Sequence, residues 1–462
     1  MNRAVVLFVL LGLSVPAVAE VVDHGPVPGL ATSEEMSLRV NGEEVWVEGL
    51  TSLFRAEEVP DWFARPEHTG PPQRMNVANF SCDGPMGIEI RTERPIGTFA
   101  IRPKSRDIEV TCEGDILRFD LSGPDKLYIE IDDLAPLCLF ANPPERDVPS
   151  RDDPNVLYFG PGEHRPGPIS LTDGQTLYIA GGAVVYGAID GSPKGATVRG
   201  RGSLDGEYKH RLVQLTDASD VRFEGVVLRR GRGWQNTLRN CDRITYENVK
   251  VVSFGNSGDG INPVGSRDVT IRDCFLRCTD DCIAIKSPDE QHAVERVRVL
   301  DNTLIGYAFA DGVTIGFETN GPHVRDVLVR NCDILIARGG SRVDGHSAFS
   351  IICDGPAWIT SIRYEDIRVE ADVLKNFELH VTDGRKYQDD PPGHIKGVTL
   401  ENVRWAADRP ILLKGFDEQH LVEDVLFDNC SVAGRPLQGS EDASFEINEH
   451  VRDVRFRHDA GD

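Results

Sequence analysis

The sequence predicts an all-β chain: a right-handed parallel β-helix of about ten rungs, preceded by a small β-sandwich-like domain. Three observations predict it. One strand-like phrase recurs nine times from residue 220 onward. Its spacing varies too much for helical repeats of fixed length. Residues 20–150, by contrast, form short alternating runs broken by Gly, Pro and Asp.

The phrase is an alternating apolar run, then Asn or Asp, then a small apolar residue or Cys. It reads DVRFEGV (220–226), DRITYENV (242–249), DVTIRDC (268–274), RVRVLDNT (296–303) and DVLVRNC (326–332). It continues as SIRYEDI (361–367), GVTLENV (397–403), DVLFDNC (424–430) and DVRFRHD (453–459). Period-two alternation rich in Val, Ile, Phe and Tyr is a strand signal. The polar position falls at Asn248, Asp273, Asn302, Asn331, Asp366, Asn402 and Asn429, at intervals of 25, 29, 29, 35, 36 and 27 residues. A β-helix rung needs some 20–30 residues and absorbs extra ones in corner loops. Stacked rungs would set each Asn or Asp above the next, bonding along the ladder and holding a tight turn. Cys274, Cys332 and Cys430, one residue later, are expected as an interior column. Weaker rungs extend back through ATVRGRGSLDG (196–206) and QTLYIAGGAVVYGAI (175–189), for ten or eleven in all.

Ahead of the coil, SLRVNGEEVWVEGL, MGIEIRTERPIGTFAIRP, IEVTCEGDILRFDLSG and LYIEIDDL read as antiparallel hairpins of a sandwich. ANPPERDVPSRDDPN (141–155) is a linker by its turn residues. The expected division is 20–150 for the sandwich, serving as a cap on the coil's end, and 151–462 for the β-helix. Residues 1–19 read as a cleavable export signal: Arg3, an apolar run Ala4–Leu13, then Ala17-Val18-Ala19. A periplasmic or secreted location follows, and the run is too short for a membrane span.

With 74 acidic against 50 basic residues the net charge is −24, which opposes binding to nucleic acid and anionic membranes. Export permits disulfides among the ten cysteines, with some pairs oxidised and others packed in the core. The spacing of Cys274, Cys278 and Cys282 lacks the C-x₂-C pairs and histidines of a zinc site.

One stretch carries chemistry: GNSGDGINPVGSRDVTIRDCFLRCTDDCIAIKS, 255–287. Asp259 and the Asp280-Asp281 pair lie 21 residues, about one rung, apart. Strands stacked at roughly 4.8 Å should bring these carboxylates to one face. Crowding raises carboxyl pKa values, so one acid can stay protonated while another is ionised. A separation of about 6.5–9.5 Å would admit the water of an inverting glycosidase. Asp-Gly is also a common turn pair, but the Asp280-Asp281 pair followed by CIAI and Lys286 has no such simple structural reading.

These residues resemble glycoside hydrolase family 28, the polygalacturonase-like enzymes, whose phrases include N-T-D-G-I-D-P, G-D-D-C-I-A-I-K-S, G-H-G and R-I-K. NSGDGINP (256–263) is similar to the first, TDDCIAIKS (279–287) to the second and ADGVTIGFE (310–318) to the G-H-G-x-x-x-G-S-E run. The resemblance spans roughly 150–370 and is strongest across 234–319. It implies a β-helix glycoside hydrolase acting on a polysaccharide or oligosaccharide. In it Asp280 would be the general acid, with Asp259 and Asp281 positioning and activating the water for inversion. Lys286 would be a substrate contact, and no metal or organic cofactor is implied. Three departures stand out. Gly258-Asp259 replaces T-D, Asp311 replaces the G-H-G histidine, and Ser350 and Ile352 stand where R-I-K has its cations. Those cations would bind a galacturonate carboxylate, so their loss favours a neutral or differently decorated glycan. The order of sandwich then β-helix resembles family 49 dextranases.

Asp311 is either a further site acid or a turn residue before Gly312. Trp234 and Gln235, one rung before Asp259, are candidates for a sugar platform, and His346 for the missing histidine. Trp358 and Arg385 are further groove candidates. Two rival readings share the scaffold: a Ca²⁺-dependent polysaccharide lyase, and a non-catalytic glycan-binding β-helix.

Overall fold

The structure, a computed structural model, describes residues 19–51, 74–254, 257–306, 310–337, 347–383 and 392–458. The export-signal run, His346 and Arg385 lie outside the described residues.

From residue 156 the chain is a right-handed parallel β-helix. Among the described residues twelve strands, from Val156–Phe159 to Val451–Arg457, stack as one parallel sheet; the recurring phrase forms nine of them, from Ser219–Glu224 onward, and the two weaker rungs supply Thr176–Ile179 and Thr197–Gly200. The stack exceeds the phrase count because Val156–Phe159, four residues flanked by Pro and Gly, carries too little pattern to be recognised. The other strands of each rung join a 21-stranded sheet that bends around two further faces.

Alternation explains the packing. In Arg267–Arg272 the residues Val269 and Ile271 are fully buried, while their neighbours face outward. Such positions, with Leu276, Ile283, Ile285, Val313 and Ile315, build one continuous core along the coil. The rung turn is left-handed at Asn248, Asp273, Asn331, Asp366, Asn402 and Asn429, with φ between 51° and 53° except at Asn402, where it is 55°. Asn and Asp tolerate this region better than other L-residues. The expected ladder exists: Asn331 Nδ2 donates to Asp301 Oδ1 at 2.7 Å, Asn402 Nδ2 to Asp366 Oδ1 at 3.1 Å, and Asn429 Nδ2 to Asn402 Oδ1 at 2.6 Å. One position is shifted. Asp301, φ 59°, makes the turn expected of Asn302. Asn302 is buried instead, accepting from Cys274 N–H at 2.8 Å and donating to Ile271 O at 3.0 Å.

All ten cysteines are free thiols, and Cys112 alone is exposed, which corrects the expectation of oxidised pairs. Cys274, Cys332 and Cys430 sit in the coil core as expected.

Among the described residues, 21–51 and 74–142 form two mostly antiparallel sheets, of six and five strands. Leu38, Ile88, Ile90, Phe119, Phe80 and Leu127 are packed between them. These sheets do not cap the end of the coil. They lie along its flank, where Leu50, Met75, Tyr128 and Phe140 pack with Val252, Phe275, Ile305, Leu335 and Ile336 from successive rungs. The flanking strands Lys250–Val252, Phe275–Cys278 and Thr303–Gly306 are buried at every residue, as strands covered on both sides must be. Lys126 pairs with Asp273, Arg102 with Glu370 and Arg106 with Asp333 across this contact. Among the described residues no helix is long and apolar enough to cross a membrane.

Candidate active site

The third face of the coil carries the acids. Its strands are in register: Asn236 lies opposite Ile261, Ile261 opposite Ile283, Ile283 opposite Val313, Val313 opposite Phe349 and Phe349 opposite Phe377. Two residues before each of these stand Trp234, Asp259, Asp281, Asp311, Ser347 and Lys375. They therefore form one column at the rim of successive strands, spaced by roughly 4.8 Å per rung. Backbone pairing runs into this rim: Gly260 N–H donates to Asp281 O at 2.8 Å, and Cys282 N–H to Asp311 O at 2.9 Å. Gly260 is required by this closeness, since a Cβ there would lie 2.3 Å from Cys282 O. The Asp259-Gly260 pair is thus a point of close strand approach and not merely a turn.

Asp259 is buried, and its Oδ2 accepts from Asn262 Nδ2 at 2.6 Å. Burial pushes its carboxyl well above the usual range, and the charges of Asp280 and Asp281 add to this. Lys286 and the Asn262 amide oppose the rise without cancelling it. Asp280 and Asp281 are half-buried. Asp281 N–H donates to Asp280 Oδ1 at 3.1 Å, and Asp281 Oδ1 accepts from Asp311 N–H at 2.9 Å. The sequence-predicted triad is therefore one electrostatic unit.

Lys286 belongs to it. Its ammonium lies 2.7 Å from Glu318 Oε2 and 4.8 Å from the centre of the Trp234 ring. Burial opposes the charge, but Glu318, then Asp259 and Asp281, outweigh it and push the pKa up. Glu318 ends the ADGVTIGFE run, and nothing local in the sequence marks it as a site group. It is aimed by a tight turn at φ 61°, held where Glu318 N–H and Thr319 N–H donate to Asp354 at 3.2 and 3.1 Å. Trp234 is half-buried, and Lys286 over its ring competes with any sugar for that face.

Gln235, expected beside Trp234 at the sugar platform, is fully buried instead. Its Oε1 accepts from Gly231 N–H at 3.0 Å, and its Nε2 donates to Gly258 O at 3.4 Å and Asp259 O at 3.2 Å. A side chain so committed braces the Asp259 segment and has no surface for a sugar. Trp358 lies on the twelve-stranded face, stacked on His394 at 4.7 Å, away from the acids.

Asp311 is fully buried beside the triad. Its Oδ1 accepts from Ser347 N–H at 2.7 Å, and its Oδ2 bonds the Ser350 hydroxyl, which also meets Thr314 Oγ1 at 2.8 Å. Burial raises its pKa well above 3.8, and the charge of Asp281 raises it further. A carboxyl with a raised folded pKa contributes stability below its unfolded pKa and loses it as pH rises through the folded value. Asp311→Asn carries no such charge. Its melting temperature relative to the unsubstituted protein is expected to rise as the pH is raised above the ordinary carboxyl range. A difference that stays constant with pH would show that Asp311 is ionised throughout.

Among the described residues no group of three or more His, Cys, Asp or Glu could hold a metal ion. The arrangement offers crowded acids that hold a proton, with Asp259 buried and Asp280 and Asp281 half-buried beside it.

The family model for glycosyl hydrolases family 28 matches residues 167–435. Polygalacturonase QRT2 of Arabidopsis thaliana is 22% identical over 213 residues, covering 44% of this chain and 45% of that protein. The chain spans about half the length of the curated relatives it matches. In fold it is similar to Dex49A from Penicillium minioluteum, with a TM-score of 0.60, 12% identity and 92% and 94% of the two chains covered. The family 28 exopolygalacturonase of Yersinia enterocolitica has a TM-score of 0.50 at 13% identity, covering 82% of this chain and 94% of its own. A family match over 167–435, more than half of 462 residues, places the chain among the glycosyl hydrolases of family 28.

Proposed function

We propose that the chain is an exported, inverting glycoside hydrolase that cleaves a polysaccharide or oligosaccharide other than plain polygalacturonate. What carries the reading is the convergence of Asp259, Asp280 and Asp281, where burial, with the neighbouring charges of Asp280 and Asp281 adding to it, raises Asp259 well above the normal carboxyl range. Crowded acids keep a proton at neutral pH, and that proton belongs to the cluster as a whole. Asp280, half-buried, is reachable by a bulky glycosidic oxygen and delivers the proton to it. Asp259 and Asp281 hold a water on the opposite side of the anomeric carbon and take its proton as it attacks. The bond to the leaving sugar breaks as the new C–O bond forms, so the product has the opposite anomeric configuration.

Support for a substrate other than polygalacturonate comes from the strand next beyond Asp311. Ser350 and Ile352 stand there, and Ser350 is occupied with Asp311 and Thr314. The proposal also takes residues 20–150 as a separate N-terminal unit and 151–462 as the catalytic one.

The test is a reducing-sugar screen of the mature chain against polygalacturonate, rhamnogalacturonan, dextran, arabinan and other neutral glycans. Asp280→Asn is the control, and NMR follows the first-formed anomer. Release from a neutral or rhamnose-containing glycan, with inversion and loss in the variant, is the expected result. Retention of configuration, a Ca²⁺-dependent unsaturated product, or silence on every glycan would overturn it.

A further inference from the structure

Beside the rim column, the residues that alternate with the core positions Val313, Phe349 and Phe377 form a floor along the third face. Thr314 lies opposite Ser350, Ser350 opposite Glu378 and Glu378 opposite Leu412. The floor is polar for three consecutive strands and turns apolar at Leu412. Glu378, where the polar run ends, stands three strands beyond the Asp281 strand, roughly 14 Å along the coil.

Glu378 is fully buried, and two side chains hold its carboxylate. Lys375 pairs with Oε2, and His380 Nδ1 bonds Oε1 at 3.2 Å. Burial works against the charge, but the hydrogen bond from His380 and the ammonium of Lys375 outweigh it and keep the pKa below normal. A buried ion cluster of this kind returns little net stability. Its effect is to orient two polar groups that reach the surface, since the side chains of Lys375 and His380 are 11% and 17% exposed. The bond at Nδ1 fixes the imidazole and leaves Nε2 as the nitrogen not engaged with the glutamate.

The next strand adds an aromatic ring. His380 lies opposite Lys414, and Phe416 follows two residues later, exposed. A single exposed aromatic is ordinary, but this one is held in a closed turn. Phe416 N–H donates to His420 O at 2.8 Å, and His420 N–H to Asp417 Oδ1 at 2.9 Å. The Phe416 and His420 rings meet edge-on with their centres 6.2 Å apart. Groups fixed in this way lose little freedom when a ligand arrives. A pyranose calls for such a pairing: oriented polar atoms for its hydroxyls and an apolar surface for its C–H face.

We propose that Lys375, His380 and Phe416 form a distal glycan-binding subsite, beyond the catalytic acids towards the C-terminal end of the coil. A pyranose of the substrate chain places hydroxyls on Lys375 and His380 and its C–H face on Phe416. Glu378 is the positioning residue beneath them. The subsite rests on the hydrolase reading for the identity of the groove. It lies too far from Asp281 for one sugar to touch both, so only an oligosaccharide of several residues occupies the two places together.

The probes are the trisaccharide and the hexasaccharide purified from a partial acid digest of the glycan cleaved in the reducing-sugar screen. Their affinities are measured by calorimetry on the full mature chain carrying Asp280→Asn, which prevents turnover. The hexasaccharide is expected to bind about a hundredfold more tightly than the trisaccharide. H380A and F416A should each cut that ratio by about tenfold, and the double variant should remove nearly all of it. Thermal melting checks that each variant is folded, which the surface position of both side chains favours. In a folded E378Q the ratio should fall as in H380A, because the lysine and the imidazole lose their common anchor. Equal affinity for the two oligosaccharides, or folded H380A and F416A variants that keep the ratio, would overturn the subsite and leave the hydrolase reading standing. A screen in which no glycan is cleaved overturns that reading, and the subsite with it.

Discussion

Asp280→Asn is expected to lower kcat on the best glycan by about 10²–10⁴-fold while leaving KM nearly unchanged. The amide keeps the shape of the carboxyl and accepts the Asp281 N–H through its oxygen, so the 3.1 Å bond survives. What it cannot do is give up a proton to a departing sugar alkoxide. The same loss must then depend on the leaving group. An aryl glycoside with an acidic phenol departs without protonation, so Asp280→Asn should retain far more activity on it than on the natural linkage. Asp259→Asn and Asp281→Asn, which remove the groups that hold water, should show no such rescue. This comparison matters because Asp259 is the acid whose pKa is pushed up by burial and by both neighbours. Rescue in Asp259→Asn and not in Asp280→Asn would reverse the two roles while keeping the cluster. Equal loss on both substrates for all three variants would remove general-acid catalysis from the site.

How much of this was legible in the chain depended on whether the signal was local. The recurring phrase is local: seven residues specify an outward-inward alternation and a left-handed turn, so the twelve-stranded face could be read nearly strand by strand. Where the phrase has two adjacent polar residues, Asp301 and Asn302, the text does not say which turns and which is buried. The buried bonds of Asn302 to Cys274 and Ile271 decide it. The flanking position of the N-terminal sheets did leave a trace. Lys250–Val252, Phe275–Cys278 and Thr303–Gly306 have apolar residues pointing outward as well as inward, which a strand facing water does not tolerate. The clustering of Asp259, Asp280 and Asp281 was visible because one rung separates them without a long insertion. Glu318 was not, because its partner Lys286 lies 32 residues away on the paired strand of the preceding rung, and nothing local to a glutamate marks that contact. Gln235 is ambiguous because an amide beside a tryptophan looks the same in sequence whether it meets a sugar or, as here, the backbone of Gly258 and Asp259.

The largest effect on stability is expected at Arg229, where the N-terminal sheets and the coil share a buried charge network. Arg229 Nε donates to Asp205 Oδ2 at 2.9 Å, and its Nη1 pairs with Glu48 from the N-terminal sheets. Arg230 adds a second cation on Asp205 at 2.7 Å. The side chains of Arg229, Asp205 and Glu48 are 3%, 0% and 7% exposed, so none of these charges is solvated. Taking such ions out of water costs nearly what their attraction returns, and the network as a whole contributes little net stability. Removing one member is different, because the partners stay buried without compensation. Arg229→Met leaves Glu48 buried without its arginine and Asp205 with Arg230 alone, and should cost about 3–5 kcal/mol. Glu48→Gln, which leaves Arg229 bonded to Asp205, should cost less. The double variant Glu48→Gln/Arg229→Met should then be more stable than the sum of the two losses predicts, by about 1–3 kcal/mol, because the orphaned carboxylate is gone. Urea midpoints of the four proteins measure this cycle. Additive losses would mean that water reaches Glu48 once the arginine is removed, and that the contact between sheets and coil is held by the apolar packing of Leu50, Tyr128 and Phe140 against Val252 and Phe275 rather than by charge.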